Sequence, residues 1–303
     1  MPDLLHLLDK PEGWTSHDVV ARMRRVLGER RVGHAGTLDP FATGLLLVAE
    51  GRATALLHSL SLLPKRYLAC ARLGIATDTQ DRTGAPIRTS GRIPARLEIE
   101  SEVERLGGLT MQRPPLYSAV KVGGERLYKA ARRGVTLEAG ERPIRVYEIR
   151  ADLSCLPDVT LDLTVSRGTY VRTLAHDLGE SLGCGAHLTS LRRTDSGPFS
   201  VEQALQPPHS RETDAQDYRA SAVRPADAVP HLPRAVLTEE EAAGVRHGRA
   251  PRFGPERQVP GPLRVPIPPG EIAWPTVLLS PEGELLALAE VLPAVVRLLR
   301  VFP

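Results

Sequence analysis

Only three of the 303 residues are cysteine: Cys70, Cys155 and Cys184. They lie far apart, without a CxxC pair or Cys/His spacing, which argues against a disulfide framework and a structural zinc site. Three isolated buried thiols are expected, and no metal. Long apolar runs are missing too, since no 18 apolar residues follow one another, so a membrane-spanning helix has no support. The start MPDLLHLLDKPEGW has no basic leader ahead of an apolar stretch, and a cytoplasmic protein is expected. Neither GxGxxG nor a P-loop occurs, so no nucleotide cofactor is expected. Lysine is scarce, with four residues against 35 arginines, and Lys10, Lys65, Lys121 and Lys129 all fall in the first 130 positions. In so arginine-rich a chain, each surviving lysine is a candidate for a site that needs a compact ammonium.

The net charge is only +3, yet it is unevenly spread: residues 1–200 hold 28 Lys+Arg against 23 Asp+Glu, and residues 201–303 hold 11 against 13. The basic excess of the first two thirds suits phosphate contacts, although solvated surfaces show the same bias. At this length, with 42% hydrophobic residues, a large core and a second, smaller domain are expected.

Along the chain, a loop Lys10–Trp14 precedes a helix capped by Thr15 or Ser16, with Val19, Met23, Val26 and Leu27 as its apolar stripe and Gly28 at its end. Leu45–Ala49 reads as a buried strand and Tyr67–Leu73 as another, with Tyr67, Ala69, Ala71 and Leu73 on one face. Val159, Leu161, Leu163 and Val165 alternate as a strand should. A helix bearing Leu174, Leu178 and Leu182 follows, which puts Arg167–Arg172 at a strand-to-helix junction. Gly123-Gly124 is a hairpin turn signal. The fold class is α+β: a mixed, mainly antiparallel sheet domain over residues 1–223, then a small β-rich domain over 224–303. Residues 198–233, where apolar periodicity fades, read as a connector. Beyond it come a short helix near Thr238–Val245, a proline-rich stretch Pro251–Pro275, and strands at Val277–Leu279, Leu285–Val291 and Val295–Val301.

The most unusual segment is GHAGTLDPFATG, Gly33–Gly44, where three glycines and a proline force irregular backbone around one carboxylate, Asp39. Loops set on a rigid sheet are where catalytic groups usually sit. Taken alone, Asp39-Pro40 is also an ordinary turn start.

The stretch GHAGTLDPFATGLLLVAEGRAT resembles the signature motif of the TruB pseudouridine synthases. KPEGWTSHDVV, KRYLACARLGIATDTQDRTG, PPLYSAVKVGGERLYKAARRG and RGTYVRTLAHDLGESLGCGAHLTSLRRTDSG are similar to the family's other blocks, in the family's order, and together they span nearly all of residues 9–200. The resemblance implies isomerisation of a T-loop uridine of tRNA, position 55: the C1′–N1 bond breaks, the base turns, and C1′ joins C5. The target base must first be flipped out of its stack, at a cost of a few kcal/mol. Asp39 corresponds to the catalytic aspartate, which can add to C1′, stabilise a cationic sugar, or remove a C2′ proton to form a glycal. Tyr67 corresponds to the tyrosine stacked on the uracil, its hydroxyl placed to take the C5 proton. Arg172 matches the arginine that pairs with the aspartate, and Leu191 the leucine against the base. Lys10 resembles a lysine that supports the pocket, and His34 a histidine that contacts RNA around the flipped nucleotide.

Lys121, Lys129, Arg132 and Arg133, interleaved with Tyr117 and Tyr128, form a cationic and aromatic segment that suits gripping phosphates and stacking bases, as the family's RNA clamp does. By the same resemblance the C-terminal part is PUA-like, either touching RNA or covering apolar surface. The T-arm of tRNA is the expected partner, with no membrane, no obligatory protein partner and a monomeric state. Two other readings remain: a guide-RNA-dependent synthase of the dyskerin type, and a noncatalytic RNA-binding or RNA-folding protein. The chain lacks the long basic tails of the first and keeps Asp39, Tyr67 and Arg172, which the second does not need.

Overall fold

A computed structural model describes residues 3–135, 137–209, 214–265, 274–293 and 295–302. The chain divides into two compact units. One comprises Met1–Asp39, Leu45–Leu63 and Gly197–Pro303, the other Pro40–Gly44 and Pro64–Ser196.

In the second unit the central strand is Lys65–Leu73, which pairs antiparallel with Asp158–Val165 on one side and Ala186–Ser196 on the other. Val146–Cys155 continues the antiparallel sheet beyond Asp158–Val165. The predicted alternation holds: Val159, Leu161, Leu163 and Val165 are all buried. Two cross-strand ion pairs, Arg66–Asp162 and Arg72–Asp158, both at 2.6 Å, decorate the opposite, wetter face. Such exposed pairs add about 0–1 kcal/mol each. The helix Val171–Ser181 buries Leu174 and Leu178 as its spacing predicts, and the helix Arg96–Gly107 buries Ile99, Val103 and Leu106. Gly123 and Gly124, at φ 59° and 87°, link the short strands Lys121–Val122 and Glu125–Arg126 in the tight hairpin that the Gly-Gly pair predicts. The expectation of three buried thiols is corrected here. Cys184 is buried, but Cys70 is half-buried and Cys155 is exposed, because it ends Val146–Cys155 where the register with its partner shifts.

In the first unit the helix Ser16–Leu27 is capped by Thr15, whose side chain accepts from the Asp18 backbone while Asp18 accepts from Thr15. Val19, Val20, Met23 and Leu27 line its buried face. The strand Thr43–Glu50 is buried throughout Leu45–Glu50 and pairs antiparallel with Val32–His34. The strand Leu4–Lys10 lies beside it.

Part of the stretch read as a connector is tightly anchored. Val223 pairs with Leu5, and Leu205 with Leu8. From the helix Ala215–Ala220, the Arg219 guanidinium donates to Glu50, which is fully buried, and to Leu27 O at 3.0 Å. His6 reaches Glu50 with Nε2 at 3.1 Å and Tyr218 O with Nδ1 at 3.2 Å. A buried carboxylate is tolerable only with such partners, and apolar side chains anchor the segment as well, with Phe199, Ala228, Val229 and Leu232 in one core cluster and Tyr218 in another. Residues 210–213 of it lie outside the described residues.

Further on, Glu239–Arg246 is the predicted helix with Thr238 as its cap. Thr276–Leu279, Leu285–Leu292 and Val295–Val301 are the predicted strands, and Arg234–Val236 adds a parallel edge. Residues 266–273 of the proline-rich stretch lie outside the described residues. Among the described residues no helix is long and apolar enough to cross a membrane, and no group of three or more His, Cys, Asp or Glu is arranged to hold a metal.

His231 packs edge-on against Trp274 at 4.8 Å between ring centroids, and neither of its buried ring nitrogens has a hydrogen-bond partner among the described residues. Burial alone lowers its pKa from 6.5 to about 4. Below pH 6.5 the unfolded chain takes up a proton that the folded chain refuses, so this stabilising contribution is complete above pH 6.5 and disappears as the pH falls to about 4. Between pH 7 and pH 5 the folded protein should lose about 2 kcal/mol through this group. In His231→Leu, urea unfolding at the two pH values should show a drop smaller by about that amount; an equal drop in both proteins would assign the acid sensitivity elsewhere.

Candidate active site

The carboxylate of interest sits within the irregular loop between the strands Val32–His34 and Thr43–Glu50. Asp39 is half-buried, preceded by the buried Leu38. Leu38 N donates to Ser16 Oγ at 2.9 Å, and the same hydroxyl contacts Leu38 O at 3.3 Å, so the first turn of the Ser16–Leu27 helix fixes the backbone one residue before the carboxylate. Of the two capping candidates, Thr15 therefore caps the helix and Ser16 positions the loop. Lys10 ends the Leu4–Lys10 strand fully buried, its ammonium donating to Pro11 O at 2.9 Å and Trp14 O at 2.7 Å. Those two carbonyls tie down the loop leading into that helix. His34 is half-buried at the end of Val32–His34.

The loop returns to the sheet at Thr43 and Gly44, which pair in parallel with Arg192 and Arg193. Gly44 has φ 105°, and a Cβ there would collide with Arg193 O and lie 2.7 Å from Arg193 N. Only glycine fits this close backbone approach.

Register then assembles one sheet face. Tyr67 lies opposite Arg193 on one neighbour and Leu163 on the other, Ala69 opposite Leu191, and Lys65 opposite Ser196 and Val165. Opposed residues and residues two apart share a face. Lys65, Tyr67, Leu191 and Arg193 are thereby brought together, with Tyr67 half-buried and Leu191 and Arg193 only 7% and 1% exposed.

Arg172, 3% exposed in the first turn of Val171–Ser181, is held by a set of partners from the ATDTQDRTG block and beyond. Its Nη1 donates to Thr79 O at 2.9 Å and lies 3.7 Å from Asp81, and its Nη2 donates to Tyr117 O at 3.0 Å. Asp81, 4% exposed, accepts in turn from Thr79 Oγ1 at 2.8 Å, Thr83 N at 2.9 Å and Thr83 Oγ1 at 2.5 Å. The neighbouring Gln80 takes the left-handed φ of 65° and accepts from Thr173 Oγ1. Gln112 clamps the turn before the helix, accepting from Tyr170 N and donating to Tyr170 O. The sequence reading assigned no role to Asp81, Gln112 or Arg193. The signal for the first was present as an acid among threonines in a family-like block, but its partner lies far along the chain.

Lys121, Lys129, Arg132 and Arg133 are all exposed around the Gly123-Gly124 hairpin and the short helix Leu127–Ala131. Arg132 stacks over Tyr128 at 5.6 Å, Arg126 donates to the Tyr128 hydroxyl and lowers its pKa, and Arg133 pairs with Glu125 at 2.7 Å.

The family model described as the TruB family pseudouridylate synthase N-terminal domain matches residues 24–171, and that of the tRNA pseudouridylate synthase B C-terminal domain matches residues 172–229. A tRNA pseudouridine synthase B of Thermobifida fusca is 42% identical over 96% of this chain and 95% of its own. That of Geobacter sulfurreducens is 47% identical over 81% of each. The chain belongs to the TruB family of pseudouridylate synthases. Among solved structures, the crystal structure of a Cbf5-Nop10-Gar1 complex contains a chain that superposes with a TM-score of 0.74 at 29% identity, over 99% of this chain and 85% of that one. A second, from an H/ACA RNP bound to a substrate RNA containing 2'-deoxyuridine, gives 0.72 at 26% identity. The mixed, mainly antiparallel sheet is thus the pseudouridine synthase fold.

In this TruB-family chain the arginine that matches the family's motif is oriented by Asp81. Asp81→Ala leaves a buried guanidinium and two threonines short of an acceptor, and should lower stability by about 3 kcal/mol in urea unfolding. Asp81→Asn keeps the size and part of the hydrogen bonding, and should stay folded with pseudouridine formation at least tenfold slower at saturating tRNA. A wild-type rate in the folded Asn variant would show that Asp81 does not position Arg172 for turnover.

Proposed function

We propose that this TruB-family tRNA pseudouridine synthase acts on uridine 55 in the T-loop, with Asp39 as its essential carboxylate. Uridine and pseudouridine are isomers, so neither oxidant nor net hydrolysis is required, and a single positioned carboxylate can drive exchange of the C1′–N1 bond for C1′–C5. The observation that carries the assignment is the loop itself: within the glycine-rich block Asp39 is the one carboxylate, and Ser16 anchors the backbone immediately before it. The chemistry is compatible with a covalent C1′ adduct, a cationic sugar or a glycal.

Tyr67 and Leu191, on one sheet face, form the platform for the flipped uracil, with the Tyr67 hydroxyl taking the C5 proton. Arg172, which matches the family's arginine, is the proposed partner that orients Asp39. Lys10 supports the pocket, His34 contacts the RNA around the extruded nucleotide, and Lys121, Lys129, Arg132 and Arg133 grip the T-arm. The enzyme works as a cytoplasmic monomer without an obligatory protein partner, cofactor or metal. Residues 1–223 form its catalytic domain and 224–303 a PUA-like domain.

Asp39→Asn removes charge and nucleophilicity but keeps size and turn chemistry. With unmodified tRNA transcript and no added metal, it should give no pseudouridine at nucleotide resolution while binding tRNA within a few fold of wild type. Appreciable turnover would falsify the assignment.

Two substitutions separate the jobs of Tyr67. Stacking contributes about 1–3 kcal/mol per base, so Tyr67→Leu should bind tRNA roughly tenfold or more weakly, whereas Tyr67→Phe should bind nearly normally. With tRNA tritiated at uracil C5, Tyr67→Phe should release tritium and form product far more slowly than wild type. Equal single-turnover rates would reduce Tyr67 to a stacking surface.

A further inference from the structure

The helix that carries Arg172 opens with residue types that do not cap. Its N-cap is Tyr170, whose ring cannot set a short side-chain oxygen over the first turn as Ser, Thr, Asp or Asn does. In a capping box the third helical residue is Glu or Gln and reaches back to the N-cap N–H; here it is Thr173, whose hydroxyl donates to Gln80. Gln112 takes that place from 58 residues away: Oε1 accepts from Tyr170 N at 2.8 Å and Nε2 donates to Tyr170 O at 3.1 Å. The same carbonyl accepts the first intrahelical bond, from Leu174 N at 3.2 Å. At this buried position a carboxylate would lack the donor and a thioether would supply neither bond.

Gln112 ends the short strand Met111–Gln112, which pairs with Arg142–Pro143. Lys121, Lys129, Arg132 and Arg133 all lie in the chain between those two strands, which makes the pair the neck of the cationic segment. The neck has two residue pairs, one with a proline that has no N–H to give, and Ile144 N extends it by donating to Thr110 O at 2.9 Å. So short a ribbon is marginal by itself, and the Gln112 amide seats it on the helix. Past the neck, the same segment supplies Tyr117 O, 3.0 Å from Arg172 Nη2. Segment and helix therefore meet twice: at the backbone two residues before Arg172, and at its guanidinium.

We propose that Gln112 is a positioning residue for turnover: it caps the Arg172 helix from the neck of the cationic segment, so that the place of the Arg172 guanidinium depends on how that segment sits on RNA. This rests on the reading of Arg172 as the partner of Asp39 and of the cationic segment as the RNA grip. Gln112 acts through Tyr170 and the helix start, not by contact with the base. Part of the binding energy gained at the segment is then used to fix Arg172. It appears in the rate at saturating RNA, and not in affinity alone.

Gln112→Met keeps the length of the side chain and removes both hydrogen bonds. In single turnover at saturating tRNA it should form pseudouridine about 100-fold more slowly, with tRNA affinity within about twofold of wild type. A wild-type rate would overturn the proposal, and so would a loss confined to affinity. Arg172→Lys separates positioning from general support of the fold. Adding Gln112→Met to it should cost little further rate, because the group that Gln112 positions is already misplaced; a second loss of the same size would place the role of Gln112 outside Arg172. The coupling is read with the neck intact. Arg132→Ala combined with Arg133→Ala should slow the saturated rate about fivefold in addition to weakening binding, and this slowing should vanish in the Gln112→Met background. An unchanged saturated rate in the arginine variant would overturn the coupling, as would losses that multiply. That variant alters only exposed side chains, so it decides the matter even if circular dichroism shows Gln112→Met to be unfolded. A wild-type rate in Arg172→Lys would remove the underlying reading of Arg172, whereas a slow Arg172→Lys beside a normal Gln112→Met would remove this inference alone.

Discussion

The antiparallel register that sets Tyr67 opposite Arg193 is the constraint from which most of the sheet-borne site follows. A slip by one residue would turn Lys65, Tyr67 and Ala69 to the face that carries Arg66 and Arg72, and would exchange Leu191 and Arg193 for Arg192. The register is pinned from both sides. Val159, Leu161, Leu163 and Val165 can be buried in only one phase, and Gly44 accepts only the Arg193 backbone position that leaves no space for a Cβ. Two shifts in the Ala186–Ser196 pairing, between Leu188 and Ser190 and between Arg193 and Asp195, bracket the segment that presents Leu191 and Arg193. Bulges of this kind re-aim side chains next to functional positions.

Arg172 depends on a different device. Its guanidinium is held by two backbone carbonyls and one carboxylate, and those carbonyls, on Thr79 and Tyr117, come from segments with little regular structure. Such loops keep their shape only if their own polar groups are satisfied. Asp81 does this for Thr79 and Thr83, and Gln112 for Tyr170, so each irregular segment is locked by a buried side chain that also closes on the helix carrying Arg172. The left-handed φ of Gln80 is the strained point of that arrangement, held by Thr173 and by Leu188 N, which donates to its carbonyl.

Much of this was readable from residue order. The alternation of Val159–Val165, the buried run Leu45–Ala49, the capped helix at Thr15 and the Gly123-Gly124 hairpin follow from periods and turn chemistry that act locally. Ala186–Ser196 did not show itself as a strand, because HLTSLRRTDS places a buried arginine where an apolar residue would mark the inward face. Leu4–Lys10 was equally opaque: LLHLLDK is buried on both faces, so it has no alternation, and its histidine is accommodated by Glu50 and the Tyr218 carbonyl. The anchoring of Ala215–Ala220 was hidden for the same reason, since a segment held by Arg219 on a buried carboxylate looks polar in sequence. Asp39, Tyr67, Arg172 and Leu191 were reached through family-like blocks, whereas Asp81, Gln112 and Arg193 acquire meaning only from partners distant in the chain.

Buried cations show how unlike environments divide the work of one residue type. Lys10 and Lys65 are both buried; the Lys10 ammonium donates to two carbonyls, and the charges of Arg193 and Arg167 act on Lys65. Its two carbonyl partners make Lys10 a fixed cross-link between a strand end and the loop that follows it. Burial, and then the neighbouring positive charge of Arg193 and Arg167, lower the pKa of Lys65. Arg193 and Arg172 stay charged whatever surrounds them, and they suit positions where a permanent field is required. An RNA-modifying site that must attract a polyanion gains from arginines, whose positive charge is permanent, at positions where the potential has to be held.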